Sequence, residues 1–240
     1  MTTGHARRDE IAHGLDTVNA RVAAACAAAG RDPRGVETVV VTKFFPVSDV
    51  RLLVDLGVRD VGENRDQEAR EKLTDPLLDG TDLRRHFIGQ LQSNKAASVV
   101  SYADVIHTAD RAKLVTALGK AADRQGRRPR VLVQVSLDDD QVSSAHRGGA
   151  RIADVPALAD LVAAEAALEL GGVMAVAPLG GNPDAAFARL WQVATGIQAA
   201  HPDATWVSAG MSDDLEAAIR HGATHLRVGS AILGSRPLLR

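Results

Sequence analysis

From residue 37 onward, short apolar runs with a period of two alternate with stretches whose apolar residues recur every three or four positions. The first rhythm predicts strands and the second predicts amphipathic helices. Before them, residues 5–30 predict one helix, with Ile11, Leu15, Val18 and Val22 as its apolar stripe and Gly30, then Asp32-Pro33, as its stop. Strands are predicted at 37–43, 60–62, 85–88, 104–107, 130–135, 172–176, 205–207 and 224–228. Helices are predicted at 48–56, with Ser48 as N-cap and Gly57 as stop, at 65–73, from Ser93, at 111–124, 155–168, 184–200 and 213–221, and near Ser230. The loop 137–152 reads as polar and mobile.

Eight strands alternating with helices, with no break in composition, predict an α/β fold, a single (β/α)8 TIM-type barrel over residues 1–240. Residues 1–36 form the extra N-terminal helix and its connection, and 37–240 the barrel. The competing arrangement is an open doubly wound sheet, but no strand-borne Gly-x-Gly-x-x-Gly marks a dinucleotide crevice.

Composition narrows the function mainly by exclusion. A hydrophobic content of 45% supports a large core, while 28 basic against 30 acidic residues and only 3% aromatics offer neither a phosphate-backbone footprint nor a stacking platform for nucleic acid. The single cysteine, Cys26, cannot close an internal disulfide, no Cys/His cluster has metal-ligand spacing, and no apolar run is long enough to span a membrane. These features predict a cytoplasmic protein. The alanine-rich stretch 22–29 is not a signal-peptide core, because Arg8, Asp9, Glu10, Asp16 and Arg21 precede it at helical intervals.

In a barrel the active site lies at the C-terminal ends of the strands, and here those ends are polar. Strand one delivers Lys43 in line with Val39 and Val41, away from Val40 and Thr42. A lysine there is either snorkelling out of the strand end or held for its chemistry. Strand two leads to Glu63 and Asn64, and strands three and four carry His86 and His107, each of which also reads as a satisfied core histidine. Strand five offers Gln134 and Ser136, and strand seven leads to Ser208, Gly210 and Ser212.

In strand eight the alternation sends Leu226 and Val228 toward the helices and Arg227 into the lumen, where it needs either a carboxylate such as Glu63 or an anionic ligand. Gly229-Ser230-Ala231 and Gly210-Met211-Ser212 each precede a predicted helical turn, so loops seven and eight can cradle a phosphate. Two bland readings compete: Ser212 as an ordinary N-cap ahead of Asp213 and Asp214, and Asn64 with Gln67 as a capping box. Met174 and Ala177 pack either against a flat ligand or against the core. A lysine, a luminal arginine and a phosphate cradle in one mouth suggest a phosphorylated aldehyde bound as a Schiff base, with burial and a nearby cation favouring the neutral amine. Pyridoxal 5′-phosphate (PLP) is the obvious candidate.

The motifs resemble those of the YggS/PROSC proteins, also called pyridoxal phosphate homeostasis proteins. The resemblance rests on Val41-Thr42-Lys43 with Pro46, Gly62-Glu63-Asn64 with Gln67-Glu68, and the run from His86 to Lys95. It continues through Gly172-Val173-Met174, the run from Gly210 to Ile219, and that from Arg227 to Gly234. The resemblance implies a barrel like that of alanine racemase and PLP bound to Lys43 as an internal aldimine. It further implies Arg227 facing the pyridine nitrogen, Ser212, Gly229 and Ser230 on the phosphate, and Asn64 and Met174 beside the cofactor. An arginine in that position weakens the ring as an electron sink. With 13 residues after Arg227, no β-domain is expected to supply a second acid/base. The implied role is therefore non-catalytic, in PLP carriage and homeostasis, with apo PLP enzymes as acceptors and a monomeric state. A PLP-dependent racemase and a Schiff-base aldolase acting on a sugar phosphate are the alternatives. The chain departs from the family pattern at Phe44-Phe45, at Ala209 in place of a common methionine, and in the loop 143–149, which lacks the commoner Ser-Lys-x-Gly.

Overall fold

Strand pairing decides between the two sheet arrangements. A computed structural model, describing residues 2–138 and 148–235, closes eight parallel strands in the order β1-β2-β3-β4-β5-β6-β7-β8, with β8 (His225–Val228) returning to β1 (Glu37–Val41). The intervening strands are β2 (Asp60–Glu63), β3 (Arg84–Phe87), β4 (Val105–Ala109), β5 (Arg130–Val135), β6 (Glu169–Ala175) and β7 (Trp206–Ser208). The open doubly wound sheet is thereby excluded.

Each strand has two buried faces. Val40, Val61, Phe87, Ile106, Val131, Val133, Val173, Val207, Leu226 and Val228 join the apolar layer between barrel and helices. Their neighbours Val39, Val41, Val105, Leu132 and Met174 are equally buried but lie outside that layer, in the lumen. The lumen also holds His86, His107, Gln134, Ser208 and Arg227, all buried. Period-two alternation therefore assigns the two environments correctly around the barrel.

The outer helices are α2 (Val47–Asp55), α3 (Asp66–Leu73), α4 (Ala96–Val100), α5 (Ala112–Gln125), α6 (Val155–Ala164), α7 (Pro183–Ala200), α8 (Leu215–Arg220) and α9 (Ser230–Leu233). The additional helix α1 (Thr2–Ala28) buries Ile11, Val18, Val22 and Cys26 and half-buries Leu15, so the predicted stripe is its packing face. Pro46, not Ser48, precedes α2 as N-cap: proline's fixed extended geometry places the cap two residues earlier than the serine signal suggested. Helix α6 ends at Ala164 rather than 168, and β6 starts at Glu169 rather than 172.

α1 ties down two loops at the barrel mouth. Arg7 donates to the Leu233 carbonyl (3.0 Å) and pairs with Asp49 (2.6 Å), while Arg21 donates to the Ser212 carbonyl (2.9 Å) and pairs with Glu216 (2.8 Å). Gly14 allows the close approach, since a Cβ there would lie 2.4 Å from the Ile232 carbonyl oxygen of α9.

Candidate functional site

Lys43 lies two residues beyond β1, not inside it, because the chain turns at once. The Phe45 amide donates to the Thr42 carbonyl at 3.0 Å, and Phe44, third in this turn, has φ of 71°, a conformation usually left to glycine. A buried polar cluster holds both flanks of the lysine. Lys72 donates to the Thr42 carbonyl (2.9 Å), Glu63 (2.7 Å) and Glu68 (3.1 Å). Glu68 accepts the Phe44 amide at 2.6 Å, and the Thr42 hydroxyl donates to Glu63 at 2.7 Å. Burial raises the Glu63 carboxyl above the usual range, against the pull of Lys72 and Thr42.

Glu63 is thus committed to Lys72 and does not pair with Arg227 as one reading had it. The reason is strand parity: Glu63 shares the outer face of β2 with Val61, whereas Arg227 is luminal. Arg227 instead donates to the Ser208 hydroxyl (2.7 Å) and the Ala175 carbonyl (2.8 Å). Desolvation lowers its guanidinium to about 10, with Asp214 opposing the shift, so it remains a cation at neutral pH.

Lys43 and Arg227 share a cavity of about 250 Å³ with Val41, Phe44, Phe45, Ile88, Met211, Ser212, Asp213, Gly229, Ser230 and Gly234. Four of the expected site residues besides Lys43 are therefore together: Ser212, Arg227, Gly229 and Ser230. Ser212 is not an N-cap. Helix α8 starts only at Leu215, with Asp214 as its cap residue and the Asp214 carboxylate accepting the Met211 amide at 2.6 Å, so the Ser212 side chain is left to the cavity. Asn64 makes no capping box either, because α3 is preceded by Arg65 and has no side-chain cap. Instead the Asn64 Oδ1 is buried without a hydrogen-bond partner. Gly89 lets β3 pass close by, as a Cβ there would lie 2.0 Å from the Asn64 carbonyl oxygen.

Asn64, Met174, Ser208 and Gly210 do not line the cavity. Ser208 sits beneath Arg227, Met174 is paired in register with Ser208 and Gln134 on the luminal wall, and the Gly210 carbonyl accepts the Arg227 amide at 2.9 Å. Ser136 is only half-buried and its amide bonds the Ala150 carbonyl. Most of the segment 143–149 and of the loop 137–152 lies outside the described residues.

Sequence reasoning missed the Lys72–Glu68 support, although the four-residue spacing of Glu68 and Lys72 on a helix signals a pair. It also missed the partners of the two luminal histidines. His86 bonds Asp60 (2.7 Å) and His107 (2.8 Å), and His107 bonds Ser208 (3.0 Å). Both read correctly as satisfied core histidines. Among the described residues no cluster could hold a metal ion, and no helix is long and apolar enough to cross a membrane.

The chain resembles proteins already known. Residues 14–237 match the family model for the alanine racemase N-terminal domain. The pyridoxal phosphate homeostasis protein of Mycobacterium tuberculosis is 42% identical over 250 residues, covering 97% of this chain and 95% of that protein. PipY of Synechococcus elongatus PCC7942, solved with PLP bound, is 33% identical with a TM-score of 0.80, covering 93% of this chain and all of that one. Alanine racemase from Corynebacterium glutamicum superposes with a TM-score of 0.63 at 17% identity and is spanned only to 63%, a likeness of fold alone.

Proposed function

This chain belongs to the pyridoxal phosphate homeostasis protein family, and on that footing we propose that it binds PLP through Lys43 and acts in PLP homeostasis and carriage without turning over amino acids. One observation carries the reading: an amine, a buried guanidinium and the hydroxyls of Ser212 and Ser230 converge on one cavity. The donor set fits a phosphorylated pyridine aldehyde. Ser212, Ser230 and the backbone at Gly229 and Ser230 offer N–H and O–H donors to a phosphate. Asn64, whose Oδ1 is orphaned, and Met174 do not line this cavity, and the fit does not depend on them.

When bound, PLP supplies an aldehyde that condenses reversibly with the Lys43 amine and releases water. The chain's own residues hold the geometry. Lys72 and Glu68 fix the peptides on either side of Lys43, and Arg227 would offer a bound ring a cation from the same cavity. A guanidinium that stays charged keeps its proton, so facing a pyridine nitrogen it would leave the ring a weak electron sink and disfavour carbanion chemistry. The same reading makes the protein a cytoplasmic monomer that yields PLP to apo enzymes.

The test is the absorption spectrum of purified protein with added PLP, before and after borohydride, beside an amino-acid racemisation assay. Expected are a visible Schiff-base band trapped by borohydride, its loss in Lys43→Ala, and racemisation at background. A band that survives in Lys43→Ala removes Lys43 from the site, and enzymatic turnover of a chiral amino acid overturns the carrier role.

A further inference from the structure

A row of hydrogen bonds crosses the barrel interior from floor to mouth. At the floor Arg84 grips Asp60 through Nε (2.6 Å) and Nη2 (3.0 Å), and Asp60 Oδ1 meets His86 Nε2 at 2.7 Å. His86 Nδ1 then meets His107 Nε2 (2.8 Å), His107 Nδ1 meets Ser208 Oγ (3.0 Å), and Arg227 Nη1 meets Ser208 Oγ (2.7 Å). The side chains of His86, His107 and Ser208 are sealed from solvent, and that of Arg227 is buried at the edge of the cavity.

The two ends determine everything between them. Arg227 can only donate, and an ionised Asp60 can only accept. Burial alone would raise the Asp60 carboxyl, but the bonds from His86 and Arg84 outweigh it and hold the group at about 2. His86 must therefore carry its proton on Nε2, which leaves Nδ1 as an acceptor. His107 must then donate from Nε2 and accept at Nδ1, where the Ser208 hydroxyl donates. The serine oxygen in turn accepts from Arg227. Both imidazoles are neutral, since burial holds them below their ordinary value, and only this arrangement satisfies all the contacts.

We propose that Asp60, His86, His107 and Ser208 are positioning residues for Arg227, a one-way hydrogen-bond chain, directed by a carboxylate at the barrel floor, that orients the guanidinium. Aligned donors in a dry lumen polarise one another, so the direction set at Asp60 passes link by link to the Ser208 oxygen that accepts from Arg227. No carboxylate contacts Arg227 directly among the described residues, and Asp214 is the acid whose charge favours its protonated form. The other charged or polar groups facing the histidines are Arg84, Asp104 and His225, and Trp206 stacks on the His86 ring. The device bears on function through the reading of Arg227 as the group beneath the pyridine nitrogen, and it deepens that reading.

The decisive experiment is imidazole 15N NMR on the histidine-labelled protein without PLP, in wild type, Asp60→Ala and Ser208→Ala, followed by visible spectra after PLP loading. In wild type, His86 and His107 should both be Nε2–H tautomers. Asp60→Ala removes the terminal acceptor, so both rings should lose the single tautomer and the visible band of the loaded protein should shift. Ser208→Ala should leave both tautomers in place, because Asp60 still orients them, yet shift the same band. An Nδ1–H tautomer at either ring in wild type, or unchanged ring signals in Asp60→Ala, overturns the chain. Should Asp60→Ala not fold, altered tautomers in Ser208→Ala overturn it alone. Absence of any PLP band in wild type would instead count against the cofactor site, which the ligand-free NMR does not depend on.

Discussion

Acidification from about pH 7 to about pH 5.5 should cost this protein a measurable part of its stability through three buried imidazoles, of which His225 sets the scale. His86, His107 and His225 are held below their ordinary 6.5 by burial, His225 to about 3, where Trp206, Thr224, His86, Asp60, Arg84 and Arg130 surround it. In the unfolded chain each titrates near its ordinary value. A group whose folded value is depressed contributes fully above the unfolded value and loses that contribution as pH falls below it. His225, neutral in the folded state throughout this interval, thus forfeits about 1.3 kcal/mol, and His86 and His107 add to the loss in the same direction. For a chain of this size the His225 contribution alone lowers Tm by about 4 °C. Glu63 works in the opposite sense, because burial raises its carboxyl and lets the folded state take up a proton earlier. A variant separates the two effects. His225→Phe keeps the stack on Trp206 and should flatten the change in unfolding free energy by about 1.3 kcal/mol over the same interval, whatever it does to absolute stability. Urea unfolding followed by tryptophan fluorescence across the pH series reads both. An unfolding free energy that does not fall on acidification, or a His225→Phe profile parallel to wild type, would refute the reasoning.

Other predictions concern the frame around the cavity. Lys72→Met leaves the fully buried Glu63 without its cationic partner and should destabilise the fold by about 3 kcal/mol in urea melts, with Lys72→Met/Glu63→Gln recovering most of the loss. If the single and double variants melt alike, the pair is not the source. Gly89→Ala places a methyl 2.0 Å from the Asn64 carbonyl and should cost about 3 kcal/mol or more, seen as a lowered Tm and reduced soluble yield. Gly14→Ala pushes α1 off Ile232 and should cost about 1–3 kcal/mol while weakening PLP retention in dialysis, since Ser230 opens the displaced helix α9.

Strand parity made the two ends of the proposed site legible. The alternation that placed Leu226 and Val228 outside and Arg227 inside holds in the barrel, as does the division of Val39 and Val41 from Val40. The same rule was available for Glu63, which follows Val61 by two and so faces the helices. Offering it as a partner for Arg227 overlooked that parity. The caps failed for a different reason. Ser48, Ser212 and Asn64 are residue types that favour caps anywhere, but Pro46 and the Met211–Asp214 turn set where the helices begin. Those side chains were then left to other environments.

Taken by itself, the sequence determined what depends on short periods: which stretches become strands, which faces are apolar, and which strand ends carry Lys43 and Arg227. Closure of the barrel decided the rest. Asp60, His86, His107, Ser208 and Arg227 come from five strands spread over most of the chain, and only the ring of eight turns their inner faces toward one another. The clamp on Lys43 is likewise tertiary, joining the turn after β1 to α3 across the end of β2. Local pattern reports the direction of a side chain, whereas its partner depends on which strands and helices packing brings alongside.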